Sequence, residues 1–266
     1  MSDLPVTISP MLQVCLNGSR SREHCPGLPI TAAELADAAR AAVAAGADDI
    51  HLHPKNPDGT DTLDPSVVAE TLTAVRATVQ GIPVGVTTGA WTVSDPVQRA
   101  SMIRAWTVVP DHASVNWHED GADLVAEALK DKGIAIEAGI YSGTDASTHF
   151  LTSPYASQIL RVLAEITDTD PHTAAATARE LLDQLTPHVT APILLHGEDG
   201  GAWPVLYTAV QGGLPTRIGL EDVLHTPDGT PAHDNATLVR LARSARTGTP
   251  SRSQGGRSGS GGPGQS

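Results

Sequence analysis

Short apolar runs alternate with longer amphipathic ones along almost the whole chain. MLQVCLNG, at 11–18, reads as a strand. Thr31 then opens TAAELADAARAAVAAGA as a helix, because Glu34 three residues on completes a capping box and Gly46 supplies the stop. DDIHLH is the second strand. Asp64-Pro65 gives the cap-then-proline order that starts a helix, and Val67, Val68, Leu72, Val75 and Val79 place an apolar stripe on it. PVGVTT is the third strand, with a helix from Ser94-Asp95-Pro96 to Trp106. HASVNW and GADLVAEALKDKG make the fourth unit, and IAIEAG with a short helix near 144–153 makes the fifth. ILRVLAEI and a helix from Asp170-Pro171 to Leu185 form the sixth, and APILLHG with Ala202–Gln211 the seventh. TRIGLED and a helix from Asn235, carrying Leu238, Leu241 and Ala242, close the series.

Strands that alternate with helices imply parallel pairing and right-handed crossovers. Eight such units in a chain of 266 residues fit an α/β fold of one kind best, a single (β/α)8 TIM barrel. An open doubly wound sheet is the alternative, but Asn17-Gly18 is not followed by the G-x-G-x-x-G of a dinucleotide fold. Residues 1–246 are read as the barrel domain and 247–266, rich in Gly, Ser and Arg, as a disordered tail. NPDGTD at 56–61 and TPDGTP at 226–231 look alike, which shared turn chemistry explains without duplication.

The formal net charge of −13 argues against nucleic-acid or membrane-surface binding, both of which need basic patches. The start, MSDLPVTISPML, has no basic segment followed by an apolar run, and no apolar stretch reaches the length of a membrane span. Cys15 and Cys25 show neither a disulfide framework nor metal spacing. A cytoplasmic protein with reduced thiols is the expectation.

His51 and His53 share one strand face. Facing outward they would be a polar pair in an apolar interface; facing inward they sit where barrel active sites form. The strand alone leaves a metal site and a polar core pair both open. The eighth strand adds a carboxylate. Even-numbered strands share inward layers, and strands two and eight are separated by two spacings of about 4.8 Å. Glu221 could therefore join His51 and His53 around a divalent ion, an arrangement of catalytic type. Glu221 could instead simply pair with Arg217 or Lys55. Other polar groups end strands: Asn17, Thr87 and Thr88, Asn116, Glu137, and His196 with Glu198. Of these, Asn17, Thr88, Asn116 and Glu137, together with Lys55, are the candidates for contacting substrate.

LPITAAELADAARAAVAAGADDIHLHPKNPDG resembles the signature of the β-keto acid cleavage enzymes, whose best-known member is the 3-keto-5-aminohexanoate cleavage enzyme. VCLNG, VTTGAW and TRIGLED resemble further segments of that family, in order, from about residue 12 to 243. The resemblance implies a zinc-dependent barrel that combines a β-keto acid with acetyl-CoA to give acetoacetate and a new acyl-CoA. It assigns His51, His53 and Glu221 to the metal, Arg217 and Asp222 to a catalytic pair, and Thr87 to a catalytic hydroxyl. It also implies a homo-oligomer. Lys55 stands where the family has Arg, which exchanges a fork-like carboxylate contact for a point charge. No acidic residue directly follows Asn17-Gly18, where the lysine-fermentation enzyme contacts an amino group; Glu23 is a shifted candidate. The rival readings are a metal-dependent aldolase or hydrolase that does not use CoA, and a non-catalytic binding protein stapled by a metal.

Overall fold

The computed structural model describes residues 10–247. Eight strands alternate with eight helices: β1 (Leu12–Cys15), α1 (Ala32–Ala44), β2 (Asp49–Leu52), α2 (Pro65–Thr78), β3 (Val84–Thr87), α3 (Pro96–Arg104), β4 (His112–Asn116), α4 (Ala122–Asp131), β5 (Ala135–Tyr141), α5 (Ala146–Thr152), β6 (Arg161–Ile166), α6 (Ala174–Leu185), β7 (Ile193–Gly197), α7 (Asp199–Gln211), β8 (Thr216–Ile218) and α8 (Asn235–Thr247). All pairings are parallel, in the order β7-β6-β5-β4-β3-β2-β1-β8. The seam between β7 and β8 is narrow: Leu195 N donates to Pro215 O at 3.0 Å, and the Thr216 hydroxyl to Leu195 O at 2.6 Å. The result is the expected (β/α)8 barrel. The expected tail lies outside the described residues, except that Thr247 ends α8.

The helix-start readings hold where they rest on caps. Thr31 and Glu34 form the capping box of α1, and Asp64 and Asp95 each cap a helix that begins with proline. Asp170-Pro171 opens only a turn, and α6 itself starts at Ala174. The main difference is at β8. TRIGLED is not one strand: pairing stops at Ile218. Gly219 packs so closely on β1 that a Cβ there would lie 1.9 Å from Cys15 O. The chain turns, with Asp222 N and Val223 N both donating to Gly219 O at 3.0 Å. Glu221 therefore reaches the barrel mouth from a turn, while Arg217 projects from the strand.

Alternate strand residues sort cleanly into two environments. Val14, Ile50, Val86, Val115 and Ile140 pack outward and join the apolar cluster that includes Leu35 and Ala39 of α1 and Leu72 and Val75 of α2. The inward residues are largely polar. At the barrel floor, Arg161 donates to Asp49 Oδ2 at 2.8 Å and to Glu137 Oε1 at 2.6 Å. His112 lies 3.0 Å from both Asp49 Oδ1 and Glu137 Oε2, and Gln13 Nε2 donates to both carboxylates at 3.0 Å. Two carboxylates are thus matched by a guanidinium and an imidazolium. Burial disfavours charge on His112, but Glu137 and Asp49 outweigh it and raise the ring to about 10.

This floor makes stability depend on pH in a defined direction. The folded value of His112 lies above its ordinary 6.5, so its contribution is complete below that pH and is lost as pH rises toward 10. Urea unfolding between about pH 7 and 9.5 should show stability falling, with His112 contributing a slope of up to roughly 1.4 kcal/mol per pH unit. His112→Gln should make the slope shallower, leaving the part that His53 and Glu198, raised to about 9 and about 8, contribute in the same window. An unchanged slope in the variant would refute the assignment.

Candidate metal centre and active site

Three side chains from two strand ends meet above the floor. His51 lies on β2, His53 one residue beyond it, and Glu221 in the turn after β8. One ligand atom from each falls within 4.8 Å of the others. Glu221 Oε1 is 3.6 Å from His53 Nε2, and its Oε2 is 3.9 Å from His51 Nε2. Glu221 Oε2 and His51 Nδ1 are buried without hydrogen-bond partners.

The backbone is built to hold these groups. Past the end of β1, the Asn17 amide replaces the strand ladder: it accepts from His53 N and donates to His53 O, both at 2.9 Å. The Asn235 amide accepts from Leu220 N and donates to Leu16 O, also at 2.9 Å, tying the Glu221 turn to the same strand end. Arg20 donates to Glu221 O at 2.9 Å. Gly18 has a φ of +59°, and a Cβ there would meet Glu221 Cγ at 2.4 Å.

Arg217 is the hinge of the constellation. It donates to Glu221 Oε1 at 3.0 Å and to Asp222 Oδ1 and His196 Nδ1 at 3.1 Å. Asp222 Oδ2 is left unpartnered in a fully buried residue. Burial raises Asp222 to about 6, with Arg217 pulling the other way. Burial, aided by Arg217, lowers His196 to about 3, so that ring is neutral. Burial also lowers His51 to about 3. It opposes charge on His53 too, but there Glu221 and Asp61 prevail and raise the ring to about 9.

Asp61 had no place in the sequence reading. Its Oδ2 lies 2.8 Å from both His53 Nδ1 and Trp91 Nε1, and its Oδ1 accepts from Lys55. The Trp91 ring stacks on His53 at 5.8 Å. Trp91, Arg20, Tyr141, Glu165 and Glu198 were likewise not among the expected site residues, although Glu198 was noted as ending strand seven. With His53, Glu221 and Asp222 they line a cavity of about 290 Å³. Burial and the nearby Glu165 raise Glu198 to about 8. A narrow extension of about 20 Å³ runs down past Thr87, Ser114 and Asn116 to His51. A cleft of about 270 Å³ near Arg22, Leu28 and Asn235 contains none of these groups.

The predicted residues divide accordingly. His51, His53, Glu221, Arg217 and Asp222 converge, and Thr87 and Asn116 line the extension. Asn17, Thr88, Lys55 and Glu137, expected at the substrate, do not line the cavity. Asn17 clamps His53, the Thr88 hydroxyl donates to Ser114 O at 2.6 Å, Lys55 pairs with Asp61, and Glu137 belongs to the floor.

The donor set fits a divalent cation: two imidazoles, one carboxylate and open positions on the cavity side. Charge agrees. With both imidazoles neutral, as ligation requires, Asp61, Glu165, Glu221 and Asp222 meet Lys55 and Arg217 as the buried cations among the described residues, while Arg20, also at the cavity, pairs with Asp199. A bound divalent ion would offset the surplus.

A family model described as beta-keto acid cleavage enzyme matches residues 10–249, and the chain belongs to this family. It is 37% identical over 81 residues to a 3-oxoadipate:acetyl-CoA acetyltransferase of Cupriavidus necator, covering 30% of this chain and 28% of that protein. It is 37% identical over 95 residues to a 3,5-dioxohexanoate:acetyl-CoA acetone transferase of Paraburkholderia graminis, covering 34% and 29%. A 3-keto-5-aminohexanoate cleavage enzyme of Fusobacterium nucleatum is 36% identical over 69 residues, covering 26% and 25%. The matched stretches thus span less than a third of these curated relatives. Among solved structures, ObcA superposes with a TM-score of 0.67 at 16% identity, over 84% of this chain and 62% of ObcA. Type I 3-dehydroquinate dehydratase of Clostridium difficile superposes at 0.60 and 12% identity, over 90% and 93%. At these identities the likeness is one of fold. No described helix is long and apolar enough to cross a membrane, and both cysteines are free.

The close approach at Gly18 is testable by itself. Gly18→Ala should destabilise the fold by at least about 1–2 kcal/mol, through left-handed strain and displacement of Glu221. Urea unfolding measures it; a neutral result would contradict the packing described.

Proposed function

We propose that this member of the β-keto acid cleavage enzyme family holds a zinc ion through His51, His53 and Glu221 and transfers acyl groups between a β-keto acid and acetyl-CoA. The products are acetoacetate and a new acyl-CoA. The observation that carries the reading is the unpartnered Asp222 Oδ2, which shares its cavity with two of the three ligand side chains, His53 and Glu221. A cytoplasmic, self-associating protein is part of the same reading.

The chemistry follows from the side chains. Arg217 grips Asp222 Oδ1, which leaves Oδ2 free to take a proton from the carbon between the ketone and the carboxylate of the substrate. The carbanion forms a bond to the acetyl carbonyl carbon of acetyl-CoA, and the CoA thiolate leaves. The thiolate then adds to the original keto carbonyl. The older carbon–carbon bond breaks, releasing acyl-CoA and the acetoacetate carbanion, which recovers its proton from Asp222. A bound zinc ion supplies Lewis acidity toward the keto oxygen. Thr87 Oγ1 accepts from Gly89 N at 3.2 Å, so its own proton is available to a substrate oxygen in the narrow extension. Tyr141 and Trp91 line the space proposed for the reacting carbons.

Incubating the purified protein with acetyl-CoA and a panel of β-keto acids should yield acetoacetate and the matching acyl-CoA by mass. Turnover of a keto acid that proceeds equally without acetyl-CoA would mark an aldolase or hydrolase instead. Asp222→Asn should keep the metal and lose activity by about 10²–10⁴-fold; wild-type-like turnover would refute the base role. His51→Ala/His53→Ala should stay folded by circular dichroism and retain no stoichiometric zinc. Full zinc retention would remove the ligand assignment.

A further inference from the structure

NPDGTD and TPDGTP fold into twin turns, one shortly after β2 and one shortly after the Glu221 turn that follows β8. In each, the first turn residue's N–H donates to the carbonyl of the fifth at 2.8 Å, and a bridge joins the flanking residues, Lys55 with Asp61 and His225 with Pro231. Asp58 and Asp228 accept from Thr60 and Thr230 in the same way. The twins diverge at their last position, which is Asp61 in one and Pro231 in the other. A carboxylate is therefore not needed to make this turn.

Nor is Asp61 a surface group. Its side chain is 4% exposed, and its two oxygens receive three different neighbours: Lys55 on Oδ1, His53 Nδ1 and Trp91 Nε1 on Oδ2. The Lys55 side chain, 1% exposed, is a charge buried alongside it. A carboxylate on Nδ1 fixes which imidazole nitrogen carries the proton and which way the ring faces. Here it leaves Nε2 directed at Glu221, 3.6 Å away.

We propose that Asp61 is the positioning residue of the metal centre, presenting His53 Nε2 to the ion while Lys55 and Trp91 lock the carboxylate in place. This rests on the zinc site proposed above. It also gives Lys55 a duty inside the protein rather than at the substrate, and it couples the metal ligand to Trp91, the stacked wall of the cavity.

The test compares zinc affinity, by chelator competition, in wild type, Lys55→Met and Lys55→Met/Asp61→Asn. The double variant carries no unpaired buried charge at this pair, so loss of an ion pair does not confuse the result. It should bind zinc about 10–100-fold more weakly than Lys55→Met, with both apo proteins folded by circular dichroism before zinc is added. Equal zinc affinity in the two variants would overturn the proposal and leave the zinc site standing. A wild-type protein that takes up no zinc would overturn the site itself, and the proposal with it. One measurement needs no altered pair. In zinc-loaded wild type, long-range ¹H–¹⁵N spectra should show His53 protonated at Nδ1, assigned by its loss in His53→Gln. Ligation through Nδ1 would refute the proposal.

Discussion

Charge enclosed in a barrel has to be matched inside the barrel, because water is not there to solvate it. That constraint organises this molecule more than its apolar packing does. The inward strand positions carry Asp49, His112, Glu137, Arg161, Arg217, Glu165 and His196 where other barrels stack Val, Ile and Leu. The floor answers the constraint in charge, with two cations for two carboxylates. Arg161 and His112 balance Asp49 and Glu137, and Gln13 crosslinks the carboxylates. The mouth answers it only in part, and the unmatched part is the candidate active centre.

Arg217 organises the mouth. It projects from β8, the shortest strand, yet it fixes Glu221, Asp222 and His196 at once. One guanidinium thereby sets the distance between the carboxylate proposed as a metal ligand and the carboxylate proposed for proton transfer. Its fork geometry is what permits this; an ammonium would attract both groups without aiming either. The division of labour within Asp222 follows: Oδ1 is held and Oδ2 is left to react.

Much of this was legible in the chain. Strand–helix alternation and proline-headed helix starts are local signals, and they located the eight units. The His51–His53 face and its reach to Glu221 followed from layer geometry, even though Glu221 arrives by a turn and not by the strand that was expected. What local patterns could not carry was long-range pairing. Lys55, Asn17, Thr88 and Glu137 have the right chemistry at the right strand ends, but their partners, Asp61, His53, Ser114 and Arg161, are revealed only by folding. Asp61 left one trace: it breaks the likeness between two otherwise matching turns. That difference is visible in the sequence, but turn chemistry accounts only for the likeness.

The narrow seam between β7 and β8 bears on how the barrel breathes. Elsewhere neighbouring strands share a ladder, but among the described residues this seam is held by one backbone bond from Leu195 N, the Thr216 hydroxyl and the Arg217–His196 contact, with Asp199 N bonding Asp222 O just beyond the strand ends. Local opening of a closed sheet begins where fewest backbone bonds must break. β8, with Arg217 and the Glu221 turn, is therefore the stave most ready to lift. An ion gripped from β2 and from the far end of β8 would span β1 like a clasp and hold that stave down. The centre that does the chemistry would then also keep its own vessel shut, and emptying it would be felt first in the backbone amides along the seam.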